Sequence, residues 1–567
     1  MKVAKITGTE FRKMVRVSSQ RLNSNIKYIN SLNVFPVPDG DTGTNMNLSF
    51  ASGNKYVGDC ESDSVGELAS ALAKGLLMGA RGNSGVILSQ IFRGFKKSVE
   101  HKETLNAQDL TDAVSAGVET AYKAVMKPQE GTILTVARKA AEAARKAVKT
   151  TDDCSELMRI IYEAADEALQ TTPELLPVLK EVGVVDSGGQ GLTFVYQGFY
   201  DALSGNERPE DEKEHKPSVG EMKEMVNAEH MHAQSKLDID DIKYGYCTQM
   251  MVRIGRGKQV DRKFDYDTFY NYLSKMGDSL LVINDDEVVK VHVHTEHPGK
   301  VLSWGQEFGD LQTVKVDNMR WQQEQIITKD KASDEKLAEE VKKSGNEIAG
   351  DYGIIAIASG KGITEMFESL GATYILNGGQ TMNPSTKDIV DAINSTGAKK
   401  VIVLPNNKNI FLAAEQAAEV APVDVAVVHS ASIAQGMTAL FAFDKDKSLQ
   451  ENKDDMTADL DTVISGQVTN AVRNTTIDGQ KIEKGQFMGI VDGKIKSVES
   501  SAKEAAIDMV KKMLDEDSEV VTIIYGEGGN EADAEAIKKA ALELDEDLEV
   551  EIHEGDQPVY HYLISVE

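Results

Sequence analysis

The chain has 567 residues, of which 41% are apolar and 27% are charged. This length exceeds what one hydrophobic core normally supports, and the net charge of −29 argues against a nucleic-acid-binding surface, which needs clustered Lys and Arg. No stretch has 18 consecutive apolar residues and no signal-peptide pattern opens the chain, so we expect no membrane insertion. The three cysteines are far apart, which predicts no disulfides. We therefore expect a cytoplasmic multidomain protein.

Apolar residues recur at helical spacing through residues 1–205, which predicts an all-helical first domain. A first helical stretch contains the apolar positions between Phe11 and Leu32. The later predicted helices span residues 66–78, 108–126, 133–149, 155–169 and 191–203. The loops between them are rich in Gly, Asn and Asp, and together they have the composition of a single site.

The first of these loops is NVFPVPDGDTGTNMN, residues 33–47. Its prolines and glycines argue against a helix or a central strand. We expect an extended loop that directs Asp39 and Asp41 to one side, where they could bind Mg²⁺ together with nucleotide phosphates. A turn with Asx capping is the alternative interpretation. Four residues that offer N–H or hydroxyl donors to phosphate follow at once: Thr42, Gly43, Thr44 and Asn45.

Three further loops have the same form: GARGNSG at 79–85, KPQEGTILT at 127–135 and VGVVDSGGQGL at 182–192. In each, a helix ends, small residues follow and a new helix begins, and a helix N-terminus favours anions. Arg81 adds a fixed positive charge. Residues 79–85 could also be a helix–helix turn capped by Asn and Ser. Since neither a P-loop nor a protein-kinase motif occurs, any ATP site would be built on helix-end loops.

Residues 206–236 are polar and predict a linker, whereas 237–327 show a β-α-β-β-α-β pattern typical of a ferredoxin-like domain. Such modules often pair through their sheets, so this domain is the candidate interface of a homodimer. The strand period places His292 and His294 on one face, near Cys247 in the first strand. Two His and one Cys are a plausible Zn²⁺ set, although the pattern alone favours half-exposed histidines and a buried thiol. His297 is a possible further ligand.

Residues 328–350 are charged and predict a second linker. Residues 351–567 alternate apolar strands with helical segments, which predicts a C-terminal α/β region with parallel strands and crossovers. After residue 465 the pattern becomes richer in strands.

The loops PDGDTGTNM, GARGNSG, EGTILT and DSGGQG resemble those of the nucleotide-binding subunit of dihydroxyacetone kinases. The whole chain, including YGYCTQMMVR, VKVHVHTEHPG, GGQTMNPST, LPNNKNI and QPVYHYLISVE, more closely resembles the ATP-binding subunits of bacterial fatty acid kinases. This resemblance implies a helical barrel with ATP and two Mg²⁺ ions at one end. It also implies transfer of the γ-phosphoryl group to the carboxylate of a fatty acid that a separate fatty-acid-binding carrier presents. The acyl phosphate would enter phospholipid synthesis.

The resemblance makes Asp39 and Asp41 the Mg²⁺ ligands, and Arg81 would relieve repulsion between the two reacting anions. Dihydroxyacetone kinases have a third aspartate before this pair, so here either Asn33 replaces it or one metal has fewer protein ligands. Zinc is implied at Cys247, His292 and His294, and carrier docking is implied for the C-terminal region. The residues placed along the nucleotide are Thr42, Gly43, Thr44, Asn45, Met46, Gly82, Asn83, Ser84, Gly85, Thr132, Asp186, Ser187 and Gly188.

Two other functions compete with this one. A triose kinase of the dihydroxyacetone type would need neither the middle nor the C-terminal domain. A non-catalytic nucleotide sensor or transcriptional co-regulator is a role that some relatives of the helical domain adopt. The presence of both Asp39 and Asp41 favours the enzyme.

Overall fold

A computed structural model describes residues 2–34, 40–125, 127–205, 244–258, 260–284, 288–320, 351–379, 383–471, 475–477 and 480–567. Asp39 and the two predicted linkers at 206–236 and 328–350 lie outside these residues. The chain divides into two compact units. One combines Met1–Glu212 with Gly350–Glu567, and the other is Lys213–Ala349.

Among the described residues up to 205, the named elements are all helices, as predicted, and one isolated β-bridge joins Ile6 to Leu105. One long helix, α3, was not predicted, because its sequence TGTNMNLSFASGNKYVGD is rich in Gly, Asn and Ser, which have low helix propensity. The helices within the described residues are α1 Gly8–Ser24, α2 Ile26–Leu32, α3 Thr42–Asp59, α4 Val65–Gly79, α5 Gly82–Val99, α6 Ala107–Ala124, α7 Ile133–Ala147, α8 Cys154–Gln170, α9 Thr172–Leu175, α10 Pro177–Val182 and α11 Ser187–Ser204.

The long helices form a closed ring around one core. Helix α1 contacts α3, each helix from α3 to α8 contacts the next, α8 contacts α11, and α11 contacts α1. Phe11, Phe50, Phe92 and Phe199 are buried inside this ring. Burial of such aromatic side chains supplies much of the apolar area that stabilises the ring. The helix starts that carry the glycine-rich loops are therefore fixed by a large shared core.

The second unit contains a four-stranded antiparallel sheet with the order β2-β3-β1-β4. Val289, Val291 and Val293 lie on one face and pack against the helices, while His292 and His294 lie on the other. The homodimer expected through this sheet stays a prediction. The elements follow the order β1 Tyr246–Ile254, α12 Tyr266–Leu273, β2 Gly277–Asn284, β3 Val288–Thr295, α13 Pro298–Gln306 and β4 Gly309–Asn318.

The C-terminal region begins with a parallel sheet of order β6-β5-β7-β8, which confirms the predicted parallel strands with crossovers. Its strands are β5 Tyr352–Ala358, β6 Tyr374–Asn377, β7 Lys400–Leu404 and β8 Asp424–Val427. The helices of this part are α14 Lys361–Ser369, α15 Thr386–Ser395, α16 Phe411–Val420, α17 Ile433–Phe441 and α18 Leu449–Ala458, followed by a 3₁₀ turn, Asp459–Thr462.

A mixed six-stranded sheet of order β13-β12-β9-β16-β14-β15 completes the region. Its strands are β9 Ile464–Asn470, β12 Phe487–Val491, β13 Lys494–Glu499, β14 Val520–Tyr525, β15 Glu549–Glu554 and β16 Tyr562–Val566. The same part of the chain contains a short hairpin, β10 Thr475–Ile477 and β11 Gln480–Ile482, and two helices, α19 Ala502–Met513 and α20 Glu531–Leu542.

The helical ring and the C-terminal region share part of one core. Ala80 and Val86, which flank the second glycine-rich loop, pack with Ile355, Ile389 and Ala414. The glycine-rich loop is therefore buried from the side of the C-terminal region. Among the helices of the described residues, none is long and apolar enough to cross a membrane.

Candidate functional site

The first glycine-rich segment leads directly into helix α3. Asp41 is the residue before the helix and has φ −111° and ψ −6°, so the extended conformation predicted for this position is wrong. The residues after it are helical rather than part of a loop. Gly40, with φ +69°, makes the turn into the helix. Asp41 is partly buried, and its carboxylate lies at the positive end of the α3 dipole.

Three of the four backbone N–H groups that were expected to face phosphate have hydrogen-bond partners within the protein. Asn30 of α2 accepts hydrogen bonds from the N–H of Gly43 at 2.7 Å and of Thr44 at 3.2 Å. Its Nδ2 donates to Thr44 Oγ1 at 3.0 Å. The N–H of Asn45 donates to the Asp41 carbonyl oxygen at 2.9 Å. Asn30 was missed because a polar residue in a short amphipathic helix gives no signal of a capping role.

Helix α5 begins against the first turns of α3. The Arg81 N–H donates to Ser49 Oγ at 3.2 Å. Gly82 has φ +55°, and a Cβ there would lie 2.5 Å from Asn45 Nδ2, so only glycine fits. Gly85 is buried against Ser49, whereas Asn83 and Ser84 are partly exposed.

The Arg81 side chain contacts the C-terminal region, and its predicted role of relieving repulsion between reacting anions stays a prediction. Its Nη1 donates to the Asn383 carbonyl oxygen at 2.8 Å, and its Nη2 lies 3.5 Å from Asp388 Oδ2. The side chain is only 6% exposed. These contacts connect the helical ring to the C-terminal region.

Asn383 also reaches the aspartate of the first loop. Its Nδ2 donates to Asp41 Oδ2 at 2.6 Å. The sequence pattern did not single out this residue, which lies in the segment GGQTMNPST that carries part of the family resemblance. The two partners are 342 positions apart, so no local pattern could have paired them.

The starts of α7 and α11 adjoin α3. Asp186 precedes α11 and accepts hydrogen bonds from the N–H of Gly189, at 2.7 Å, and of Ile133. Burial raises the pKa of Asp186 to about 6. Ser187 Oγ donates to Thr42 Oγ1 at 3.2 Å. These contacts place the starts of three helices side by side.

Three of the predicted nucleotide residues have packing or capping roles. Met46 has no exposed surface and packs against Gly191 in the core, so it differs from the predicted nucleotide-lining residue. Thr132 caps α7, accepting from the N–H of Leu134 at 3.4 Å and donating to the Gln129 carbonyl oxygen at 2.7 Å. A Cβ on Gly188 would lie 3.3 Å from Ile133 Cβ, so this glycine is at the α7–α11 contact.

The four loops thus meet at one end of the ring, linked by Thr42–Ser187, Asp186–Ile133 and Gly82–Asn45. Helix N-termini and small residues suit phosphate groups, and the Asp41 carboxylate suits a hard cation. The donor set therefore fits a Mg²⁺–nucleotide complex. Asn33, the predicted neutral ligand, is 2% exposed and follows α2. Its ligand role stays a prediction.

Comparison with known families decides which kind of protein carries this site. The family model described as "DAK2 domain" matches residues 36–201, which include three of the loops completely and the first loop from Pro36 onward. The model of the FakA-like middle domain of fatty acid kinases matches 243–326, and the model of the FakA-like C-terminal domain matches 353–567. The chain belongs to the FakA-like fatty acid kinase family.

Relatives in this family align from end to end. Uncharacterized proteins of Staphylococcus aureus and Staphylococcus saprophyticus are each 49% identical over 565 residues, and one of Staphylococcus haemolyticus is 50% identical. Each match covers 100% of both chains.

Two solved structures match a smaller part of this family member. A DegV family protein from Corynebacterium glutamicum is 20% identical, with 38% of this chain and 96% of that chain covered and a TM-score of 0.29. The Streptococcus pneumoniae Fatty Acid Kinase (Fak) B3 protein loaded with linoleic acid is 13% identical, with 38% and 99% covered and a TM-score of 0.26.

The middle domain of this family member brings together the three predicted zinc ligands. Strand pairing places Cys247 opposite His294. Cys247 Sγ lies 3.8 Å from His292 Nδ1, and the two histidine Nε2 atoms are 3.2 Å apart. All three side chains are buried, whereas the strand pattern alone favoured half-exposed histidines. Burial raises the pKa of the Cys247 thiol to about 11. His297 is exposed and lies outside the cluster found among the described residues.

A cavity of about 510 Å³ lies within the C-terminal region. Its lining includes Met366, Ser432, Thr438 and Phe441, and it contains none of the predicted site residues. We therefore place the candidate site of this kinase-family chain at the four loops, where a carboxylate and helix N-termini meet, and not in this cavity.

Proposed function

We propose that this chain is the ATP-dependent subunit of a fatty acid kinase. It transfers the γ-phosphoryl group of ATP to the carboxylate of a fatty acid that a separate fatty-acid-binding protein presents. The observation that carries the proposal is that the starts of α3, α5, α7 and α11 meet at one end of the ring, where Asp41 directly precedes α3. The family matches along the chain add support.

The reaction exchanges one phosphorus–oxygen bond for another. A carboxylate oxygen of the fatty acid forms a bond to the γ-phosphorus, the bond from that phosphorus to the β,γ-bridging oxygen breaks, and ADP leaves with the electron pair. The acceptor is already ionised near pH 7, since carboxyl pKa values lie near 4, so no general base is required. Positioning and charge neutralisation remain as the tasks of the protein.

Asp41 and Asp39 would hold Mg²⁺ in this proposal. The metal would neutralise charge on the phosphates and on the approaching carboxylate. Asn30 fixes the first turn of α3 through Gly43 and Thr44, so Asp41 is presented from a rigid helix start. A rigidly held carboxylate favours catalysis, because groups that are already in place can stabilise the charge of the transition state without reorganising.

The starts of α5, α7 and α11 bind the nucleotide. Asn83 and Ser84 are partly exposed at the start of α5, where their polar groups can reach a ligand. Ser187 is held by Thr42, which aligns the starts of α3 and α11. Gly82 excludes a side chain from the centre of these contacts. The buried face of the C-terminal region closes this end of the ring from one side.

Zinc at Cys247, His292 and His294 is part of the same proposal. Three side chains whose ligand atoms all lie within 4.8 Å of one another fit a Cys–His₂ set with one open position. Because the ligands come from β1 and β3, the metal would tie two neighbouring strands together.

The proposed kinase activity is tested with the full chain, ATP, Mg²⁺ and a fatty acid, with and without the fatty-acid-binding partner. We expect ATP consumption that requires both the acid and the partner, and that Asp41→Asn reduces by at least about 100-fold, because a Mg²⁺ ligand is lost. Dihydroxyacetone is the control acceptor, since its use would favour the triose kinase. ATP binding without turnover on any acceptor would favour the nucleotide sensor.

A further inference from the structure

The C-terminal region meets the first two loops through the start of α15 and the residues just before it. The N–H of Thr386 donates to the Ala80 carbonyl oxygen at 3.1 Å. Arg81 Nη1 donates to the Asn383 carbonyl oxygen at 2.8 Å, and Asn383 Nδ2 donates to Asp41 Oδ2 at 2.6 Å. Asn383 is 3% exposed. Its backbone is thus held by Arg81 while its side chain reaches Asp41.

The orientation of the Asn383 amide follows from its partner. An ionised Asp41 carboxylate only accepts hydrogen bonds, so the amide atom that faces it is the NH₂ group. The other amide atom, Oδ1, is buried and has no hydrogen-bond partner among the described residues. A buried acceptor without a donor is destabilising. An oxygen of this kind suits a donor or a hard cation that arrives with a ligand.

We infer that Asn383 is a positioning residue for the proposed phosphoryl transfer, contributed by the C-terminal region. Its NH₂ group orients the Asp41 carboxylate for Mg²⁺. Its Oδ1 accepts a hydrogen bond that the Mg²⁺–nucleotide complex brings. This inference rests on the proposed function, and it makes the helical ring alone an incomplete site.

Other contacts across the same interface do not need Asn383. Gln416 Nε2 donates to Ser89 Oγ at 3.0 Å, Asn83 Nδ2 donates to Asn409 Oδ1 at 3.2 Å, and Arg93 pairs with Glu419. Gln416 is 4% exposed, so it matches Asn383 in burial but does not contact Asp41. Comparing the two residues therefore separates positioning of Asp41 from docking of the regions.

The test uses the full chain with Mn²⁺ as the metal probe, a non-hydrolysable ATP analogue and electron paramagnetic resonance to count free Mn²⁺. Asn383→Leu keeps a similar volume and removes both hydrogen bonds. We expect it to weaken Mn²⁺ binding in the presence of the analogue by at least about tenfold, as for other residues that orient a metal ligand. Binding of the analogue without metal should stay within about twofold, because the Asp41 carboxylate and Asn383 Oδ1 both act on the metal-bound complex.

Gln416→Ala is the matched control and should leave Mn²⁺ affinity unchanged. Equal Mn²⁺ affinity in Asn383→Leu and wild type, or an equal loss in Gln416→Ala, overturns the inference. If Asn383→Leu does not fold, Asn383→Ser provides the same comparison, because its hydroxyl is too short to reach Asp41. Asp41→Asn is measured alongside. If Asp41→Asn binds Mn²⁺ like wild type, the proposed function fails; if only Asn383 has no effect, this inference alone fails.

Discussion

Replacement of Asp186 by Asn tests the environment of the α11 start. Asp186 is 5% exposed, and the N–H groups of Gly189 and Ile133 are its hydrogen-bond donors. Burial outweighs those two bonds and raises the pKa from 3.8 to about 6. Asn caps helices about as well as Asp, so Asp186→Asn can retain the bond from Gly189 while removing the buried charge.

The magnitude follows from the two pKa values. The pKa of Asp186 differs by about two units between the folded and the unfolded chain. At about 1.4 kcal/mol for each unit, the buried charge lowers the free energy of unfolding by up to about 3 kcal/mol. Between pH 4 and pH 6 the folded protein binds a proton at Asp186 that the unfolded chain has released. The contribution of Asp186 to the free energy of unfolding therefore falls as pH rises through this window and stays low above about pH 6.

Urea unfolding of both proteins, followed by circular dichroism without nucleotide or metal, measures this difference from pH 4 to pH 8. We expect nearly equal stability at pH 4 and a variant that is more stable by one to about 3 kcal/mol at pH 7.5. A difference that does not change with pH, or a variant that is less stable at pH 7.5, would refute the argument that burial controls Asp186.

Three further predictions follow from packing and from the metal cluster. Gly198→Ala should destabilise the protein by about 2 kcal/mol or more, because its Cβ would lie 2.5 Å from Ser18 Cα. Gly58→Ala, with no atom within 4 Å of its Cβ, should be neutral or stabilise the protein by up to about 1 kcal/mol. Thermal unfolding compares the two variants, and equal shifts in melting temperature would contradict the packing argument. Gly82→Ala should weaken binding of an ATP analogue at least about tenfold, as measured by calorimetry. Gly397→Ala is the control, because Gly397 has a similar φ of +63° and open surroundings, and it should leave the affinity unchanged. Equal affinities of the two variants would contradict the steric account. Elemental analysis should find one zinc per chain in wild type and none in the double variant His292→Ala/His294→Ala; zinc in neither, after expression with ample metal, would remove the site.

Local patterns predicted much of this architecture. Helical spacing located the start of α7 at residue 133 and the start of α11 within four residues, and the strand period placed His292 and His294 on one face. The helix α3 was missed because the fold stabilises it by packing, which overrides the weak propensity of its sequence. Its burial against the ring depends on residues far along the chain.

Contacts between distant residues could not be predicted from the sequence. Two partners of the Arg81 side chain, Asn383 and Asp388, are more than 300 positions away, and only the folded chain brings them together. The extended loop expected at Asp41 was also wrong, because Asn30 stabilises a helical turn immediately after it. The positive charge of Arg81 predicts a role toward the reacting anions, which stays a prediction, but a charge alone does not identify Asn383 and Asp388 as partners.

The identity of the phosphorylated product tests the proposed function most directly. The full chain is incubated with ATP, Mg²⁺, a fatty acid and its binding protein, and hydroxylamine is added to trap activated carboxylates. We predict a fatty acyl hydroxamate formed in step with ADP, and its loss in Asp41→Asn. ADP formed with the acid present but without hydroxamate, or a phosphate ester of dihydroxyacetone as the sole product, would contradict the account.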